Sequence, residues 1–201
     1  MKYVILLLLS FSSIAHAQIN IDLLHKAENY LNNIKTIKAE FTQIAPNGGL
    51  STGRFYMQRP GLMRWQYHPP VPVLMVSRGN TLRFIDYELE QVSDIPLKNT
   101  IASLLAQQTI NFSTDDIVVL RADSKDNVTM ISAAQADAQD EGVVTFEFEE
   151  QPFKLRNIIL KDAKGEETNI SLSNAHYNVT LDPALFEMED PRLQWRRKNR
   201  R

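Results

Sequence analysis

The chain has 201 residues, 43% of them hydrophobic and 23% charged, with no cysteine and a formal net charge of −2. That length suits one domain with a real core, and the composition excludes disulfides, a thiol nucleophile and a lipid-modified cysteine. The near-neutral total hides an asymmetry. The tail Arg196, Arg197, Lys198, Asn199, Arg200, Arg201 is purely basic, so the body before it is acidic, which argues against a nucleic-acid partner.

At the start, Lys2 precedes the apolar run Val4, Ile5, Leu6, Leu7, Leu8, Leu9, and small residues end in Ala15-His16-Ala17. This is the pattern of a secretory signal peptide. Residues 1–17 are therefore expected to be removed near Ala17, residues 18–195 to form the domain, and 196–201 to remain as a basic tail. The apolar run is too short to span a bilayer, and no second run of about 18 apolar residues follows, so a soluble product is expected. An exported domain without cysteine points to a bacterial periplasm. The N-x-S/T triplets at Asn111, Asn127, Asn169 and Asn178 would matter only in a eukaryotic secretory protein. The tail is read either as a solvated terminus or as a contact for anionic headgroups or an acidic partner.

Ile21, Leu24, Ala27, Leu31 and Ile34 recur at helical spacing behind Asn20, a residue suited to capping, and predict a helix over about 20–33. From Thr36 the period becomes two, with Ile37, Ala39 and Phe41 on one face of a strand. Pro46-Asn47-Gly48-Gly49 turns the chain into a strand from Gly53 to Arg59, and Pro60-Gly61 turns it again into Leu62 to His68. Pro69, Pro70 and Pro72 form a connector that cannot join a central strand. Strands over Val73–Arg78 and Thr81–Tyr87 flank Gly79-Asn80, and Leu89–Ser93 extends the meander. Pro96–Gln107, with Ile101, Leu104 and Leu105, reads as a short apolar helix packed across the sheet. Strands resume over Ile117–Ala122, Val128–Ser132, Val143–Glu150, Phe153–Lys161 and Glu167–Ala175. The total is ten to eleven strands and two helices, a mainly β (α+β) chain.

Signals for catalysis are nearly absent. His25, His68 and His176 lie on separate elements without metal-ligand spacing, and no G-x-S-x-G or Gly-rich phosphate loop occurs. No catalytic residue, metal site or cofactor is expected, and a hydrolase using His68 or His176 is the least favoured reading. Glu149-Glu150 and Glu166-Glu167 are read as solvated charge. What stands out is a set of large apolar residues on one face of successive strands: Phe41, Phe55, Met57, Met63, Trp65, Tyr67, Met75, Phe84, Phe146 and Phe148. With Leu104 and Leu105 of the short helix they form either an ordinary sheet–helix core or the wall of a cavity. Met and aromatic side chains adapt well to variable apolar ligands, and so many strands have only two short helices to cover them. Arg59 continues the inward face of Phe55 and Met57, and a charge there needs a partner. It either hydrogen-bonds carbonyls of the segment closing the cavity or sits at the strand's wet end.

Arg59-Pro60-Gly61-Leu62-Met63-Arg64-Trp65, Val76-Ser77-Arg78-Gly79-Asn80-Thr81-Leu82 and Leu89-Glu90-Gln91-Val92 resemble the periplasmic outer-membrane lipoprotein carrier family, LolA. So do Ala39-Glu40-Phe41-Thr42-Gln43 and Leu181-Asp182-Pro183-Ala184-Leu185-Phe186. The resemblance implies a single strongly curved antiparallel sheet, an incomplete β-barrel closed by short lid helices over a hydrophobic cavity. It implies a monomeric, non-enzymatic carrier of triacylated lipoproteins, loaded by an inner-membrane ABC transporter and unloaded to an outer-membrane acceptor. Arg59 would hold the lid closed through hydrogen bonds, and Met63 occupies a cavity position where the family often has Phe. Arg78 stands where some relatives are acidic. The acceptor of the same pathway is lipid-anchored, and the missing cysteine argues against that assignment. A same-fold periplasmic lipid-binding or envelope-sensing protein is the alternative.

Overall fold

The computed structural model describes residues 19–100, 102–192 and 195. The expected signal peptide over 1–17 and basic tail over 196–201 lie outside the described residues.

Helix α1 spans Ile21–Asn32 and starts where expected, because the Asn20 side chain accepts hydrogen bonds from the backbone N–H groups of Asp22 and Leu23, at 3.0 and 3.3 Å. Its buried stripe is Leu24, Ala27 and Leu31. Six strands follow: β1 (Thr36–Ile44), β2 (Leu50–Gln58), β3 (Leu62–Tyr67), β4 (Val73–Arg78), β5 (Thr81–Asp86) and β6 (Gln91–Pro96). A 3₁₀ turn over Leu97–Asn99 and the short helix α2 (Ala102–Ala106) lead to β7 (Ile117–Lys125), β8 (Val128–Gln135), β9 (Gly142–Glu150), β10 (Phe153–Asp162) and β11 (Glu167–Tyr177).

Several boundaries differ from expectation, three of them for a clear local reason. Strand β2 begins at Leu50, because Leu50, Ser51 and Thr52 pair with Ile44, Gln43 and Thr42 across the turn. Gly53 therefore sits inside the strand, a position a sequence reading treats as an end. It is tolerated because its missing Cβ makes room for a ring: a Cβ there would lie 2.5 Å from the Phe41 ring and 2.3 Å from the Gln66 carbonyl oxygen. Strand β6 is shifted to Gln91–Pro96, since the Asp86 carboxylate accepts the N–H groups of Glu88 and Leu89 and holds them in the turn. The helix expected over Pro96–Gln107 is broken at Thr100, whose backbone is extended and whose hydroxyl donates to the Leu97 carbonyl at 2.7 Å.

All strands pair antiparallel in one sheet of order β6-β5-β4-β3-β2-β1-β11-β10-β9-β8-β7. This is the chain order wound into a ring, with β1 meeting β11 and a single break between the consecutive strands β6 and β7. The connection across that break is the segment carrying the 3₁₀ turn and α2. The incomplete barrel expected from the sequence is thus the observed architecture, with its gap at a defined place. One apolar cluster joins both halves of the sheet to α1 and α2.

The opposite face is covered by the chain after β11. A 3₁₀ turn at Pro183–Phe186 packs Leu181 and Phe186 on Tyr56, and Met188 and Trp195 lie against Leu74, Val76 and Ile85. Arg83 fixes this strap: it pairs with both oxygens of Asp94, each at 2.7 Å, and donates to the carbonyls of Met188 and Glu189.

Candidate functional site

The predicted apolar face comes together as read. Phe41, Phe55, Met57, Met63, Trp65, Leu104, Leu105, Phe146 and Phe148 are buried in one cluster, with Tyr67 and Met75 half-buried against it. Phe84 is half-buried opposite Met75. Phe55 stacks on Trp65 with centroids 4.0 Å apart, and Phe41 meets Trp65 and Tyr67 edge-on at 5.2 and 5.1 Å. On the other half, Phe148 stacks on Phe153 at 4.8 Å while Tyr30 of α1 stands edge-on to both. These contacts fill the interior with the protein's own side chains.

The open space lies at one end of this core. A cavity of about 1000 Å³ runs between the 97–108 segment and the ends of β8 and β9. Of the residues expected to line a cavity, only Leu104 does so. Its other apolar walls are Leu97, Ala106, Ile117, Ala133, Ala134 and Val144, and its exposed rim carries Asp116, Asp137 and Glu141. Sequence reasoning missed Ala133 and Ala134 because it ended β8 at Ser132, and small residues carry little periodic signal. Their size keeps this end of the barrel open.

Arg59 follows the last residue of β2 and points inward, 9% exposed. Its Nη1 donates to the Gln107 carbonyl at 2.7 Å, and beside it the Gly61 N–H donates to the Ala106 carbonyl at 2.9 Å. The Ala106 carbonyl ends α2 and the Gln107 carbonyl directly follows it, so neither has a partner within the helix. Of its two sequence readings, Arg59 takes the one in which it bonds the segment closing the gap. The match is partial: its buried Nε finds no partner among the described residues, and burial lowers its pKa to about 10.

The segment is held at its other side too. Gln135 Nε2 donates to the Lys98 carbonyl at 2.6 Å and to Ser103 Oγ at 3.1 Å. Helix α1 clips the chain beyond α2: the Asn32 amide exchanges two hydrogen bonds with the backbone of Ile110, at 2.8 and 2.7 Å, and Glu28 accepts the Phe112 N–H. Glu150, read as solvated charge, instead ties α1 to the sheet. Lys26 Nζ lies 2.6 Å from its carboxylate and 4.2 Å over the Phe153 ring, and Ser124 and Thr129 donate to it, which lowers the Glu150 pKa. The histidines are not assembled: His25 is on α1, His68 follows β3 near Glu40, and His176 is on β11.

No helix among the described residues is long and apolar enough to cross a membrane. The family model described as outer membrane lipoprotein carrier protein LolA matches residues 32–189. An outer-membrane lipoprotein carrier protein of Dechloromonas aromatica is 31% identical, covering 89% of this chain and 86% of its own, and one of Chromobacterium violaceum is 31% identical, covering 81% of each. An uncharacterised protein of Rickettsia prowazekii is 30% identical over 66% of this chain, which spans 61% of that relative. A LolA superfamily crystal structure from Nitrosomonas europaea superposes with a TM-score of 0.48 at 14% identity, covering 86% of this chain and 99% of its own. By the family match over residues 32–189 and the two carrier relatives at 31% identity, the chain belongs to the outer membrane lipoprotein carrier protein family, LolA.

Proposed function

We propose that this chain, after export and removal of residues 1–17, carries the acyl chains of lipoproteins through the periplasm as a non-enzymatic monomer. It takes triacylated lipoproteins released from the inner membrane by an ABC transporter and delivers them to an outer-membrane acceptor. The observation that carries this reading is the single break in the sheet, between β6 and β7, spanned by a segment hydrogen-bonded to Arg59 after β2 and to Gln135 at the end of β8.

The need for a carrier follows from transfer energetics. At about 0.8 kcal/mol per exposed CH₂, three acyl chains cost on the order of 30 kcal/mol in water. A carrier must replace most of that loss and still release. A packed wall of Phe, Met, Leu and Trp that separates when the α2 segment moves does this through apolar burial alone. Its own contacts re-form on release, so emptying the barrel does not leave a void. Arg59, through the Gln107 carbonyl, then sets how readily the segment moves.

The test incubates the purified mature protein with inner-membrane vesicles holding a labelled triacylated lipoprotein and ATP. A soluble one-to-one complex is expected. Absence of release with a transporter shown to be active overturns the reading and moves it to a same-fold lipid-binding or sensing role.

A further inference from the structure

The chain has no cysteine, so the side chains most open to two-electron oxidation are its methionines. Beyond the expected signal peptide these are Met57, Met63, Met75, Met130 and Met188, and the fold treats them differently. Met57 and Met63 face each other across β2 and β3, each 1% exposed and out of reach of solvent. Met75 is half-buried against the inner cluster, and the half-buried Met130 lies in β8 with ladders to β7 and β9 on its two sides. Met188 belongs to no strand or helix. It is half-buried in the strap between the exposed residues Glu187 and Glu189, and packs on Leu74, Val76 and Ile85 of the outer face. The hydrogen bonds that fasten this stretch to the sheet among the described residues are long. Arg83 reaches the Met188 and Glu189 carbonyls at 3.3 and 3.2 Å, against 2.7 Å to Asp94, and Tyr87 reaches the Glu189 carboxylate at 3.4 Å. The apolar contacts of Met188 and Trp195 therefore carry much of the attachment.

We infer that Met188 is a site of reversible S-oxidation, and that its sulfoxide releases the strap from the outer face of β4 and β5. The sulfur gives a lone pair to the electrophilic oxygen of hydrogen peroxide or hypochlorous acid. An S–O bond forms as the O–O or O–Cl bond breaks, and water, or chloride and a proton, is left. Both oxidants are neutral, so the carboxylates of Glu187, Glu189 and Asp190 do not repel them. The product replaces a pliant apolar group by a strong hydrogen-bond acceptor, and Leu74, Val76 and Ile85 offer it only hydrocarbon. Its solvation is better with the strap lifted into water. Sulfoxide at Met130 has no such consequence, since backbone pairing on both sides keeps β8 in place. Two electrons and two protons, supplied by thiols through methionine sulfoxide reductases, return the sulfide and water and let the strap re-seat. This concerns the outer face alone and is independent of what the barrel carries.

The test titrates the purified mature protein with hydrogen peroxide, locates the added oxygen by peptide mass mapping and follows hydrogen exchange. Met188 is expected to gain oxygen well before Met57 and Met63. Peptides covering 184–195, where the N–H groups of Glu187, Arg192 and Trp195 are hydrogen-bonded, should then exchange about tenfold faster, while peptides of β8 and β9 stay unchanged. Methionine sulfoxide reductases with dithiothreitol should restore the original exchange. Met188→Leu keeps the apolar contact and should make the strap indifferent to peroxide. Oxygen at Met57 or Met63 before Met188 overturns the inference, as does unchanged exchange over 184–195 once Met188 is oxidised. Equal loosening of the strap in peroxide-treated Met188→Leu overturns it too, because another side chain would then be responsible. The lipoprotein-release assay is separate, so either reading can fail alone.

Discussion

Replacing Arg59 by Leu should hold the α2 segment more tightly closed, although it deletes a hydrogen bond from that segment. In the wild type the charged donor to the Gln107 carbonyl is worth about 1.5–3 kcal/mol. Against it stands the cost of burial: lowering the pKa from 12.5 to about 10 corresponds to about 3 kcal/mol of disfavoured charge. The two nearly cancel, so Arg59 leaves the closed state close to balance. Leu has no charge to desolvate and gains about 1.5–3 kcal/mol on full burial. The exposed Gln107 carbonyl can turn to water. A net shift of about 2 kcal/mol toward closure slows opening roughly thirtyfold and raises Tm by several degrees. Hydrogen exchange of peptides covering 102–110 reads the first quantity and calorimetry the second, and the release assay should show slower hand-over of cargo. Faster exchange in the Leu variant would refute the reasoning, because the hydrogen bond would then outweigh the buried charge.

Three other outcomes follow from named contacts. Gly53→Ala puts a Cβ 2.3 Å from the Gln66 carbonyl oxygen, where backbone cannot yield, so the urea midpoint should fall by an amount equivalent to about 3 kcal/mol; an unchanged midpoint contradicts the close approach of Phe41. Ala134→Phe fills open space beneath the α2 segment, so Tm should hold or rise while capture of labelled lipoprotein in the release assay drops at least tenfold; full capture would show that acyl chains reach the packed wall without using this space. Glu150 has a lowered pKa in the folded state, so its stabilisation is complete above its ordinary value of 4.5 and is lost as pH falls through the lowered value. The Tm difference between wild type and Glu150→Gln should therefore be constant near neutrality and shrink below about pH 4.5; a difference independent of pH would mean that Lys26 does not act through the charge.

How far the sequence reveals these features depends on whether the cause is local. Helix α1 and most strands were legible because a cap, a change of period or a Gly-Asn turn lies within a few residues of each boundary. The inward set from Phe41 to Phe148 was legible for the same reason, since alternation decides which face a side chain takes. Alternation cannot decide whether that face is packed or hollow. Phe55 on Trp65 and Ala133 beside Val144 obey the same period, and only side-chain volume summed across distant strands separates core from cavity. Glu150 was misread because its partner Lys26 lies 124 residues away. Residues such as Leu74, Val76 and Ile85 face outward yet are buried, because a strap from the far end of the chain returns over them.

The break between β6 and β7 is built into both edges. On one side β6 ends at Pro96, which has no N–H to offer a further ladder, and the chain leaves immediately into the 3₁₀ turn. On the other side the β7–β8 pairing is irregular between Val119 and Arg121, and the Ala122 carbonyl is already taken by the Asn20 N–H. Each edge thus carries a feature that interrupts a regular ladder, which disfavours closing the barrel by backbone pairing. The ten ladders that define the fold run through the remainder of the sheet and do not involve the α2 segment. What spans the gap is held by a few side-chain and end-of-helix hydrogen bonds, which are weak beside those ladders. The segment can therefore move at a small fraction of the energy needed to unfold the sheet, and a carrier that must open in water without losing its fold requires that separation.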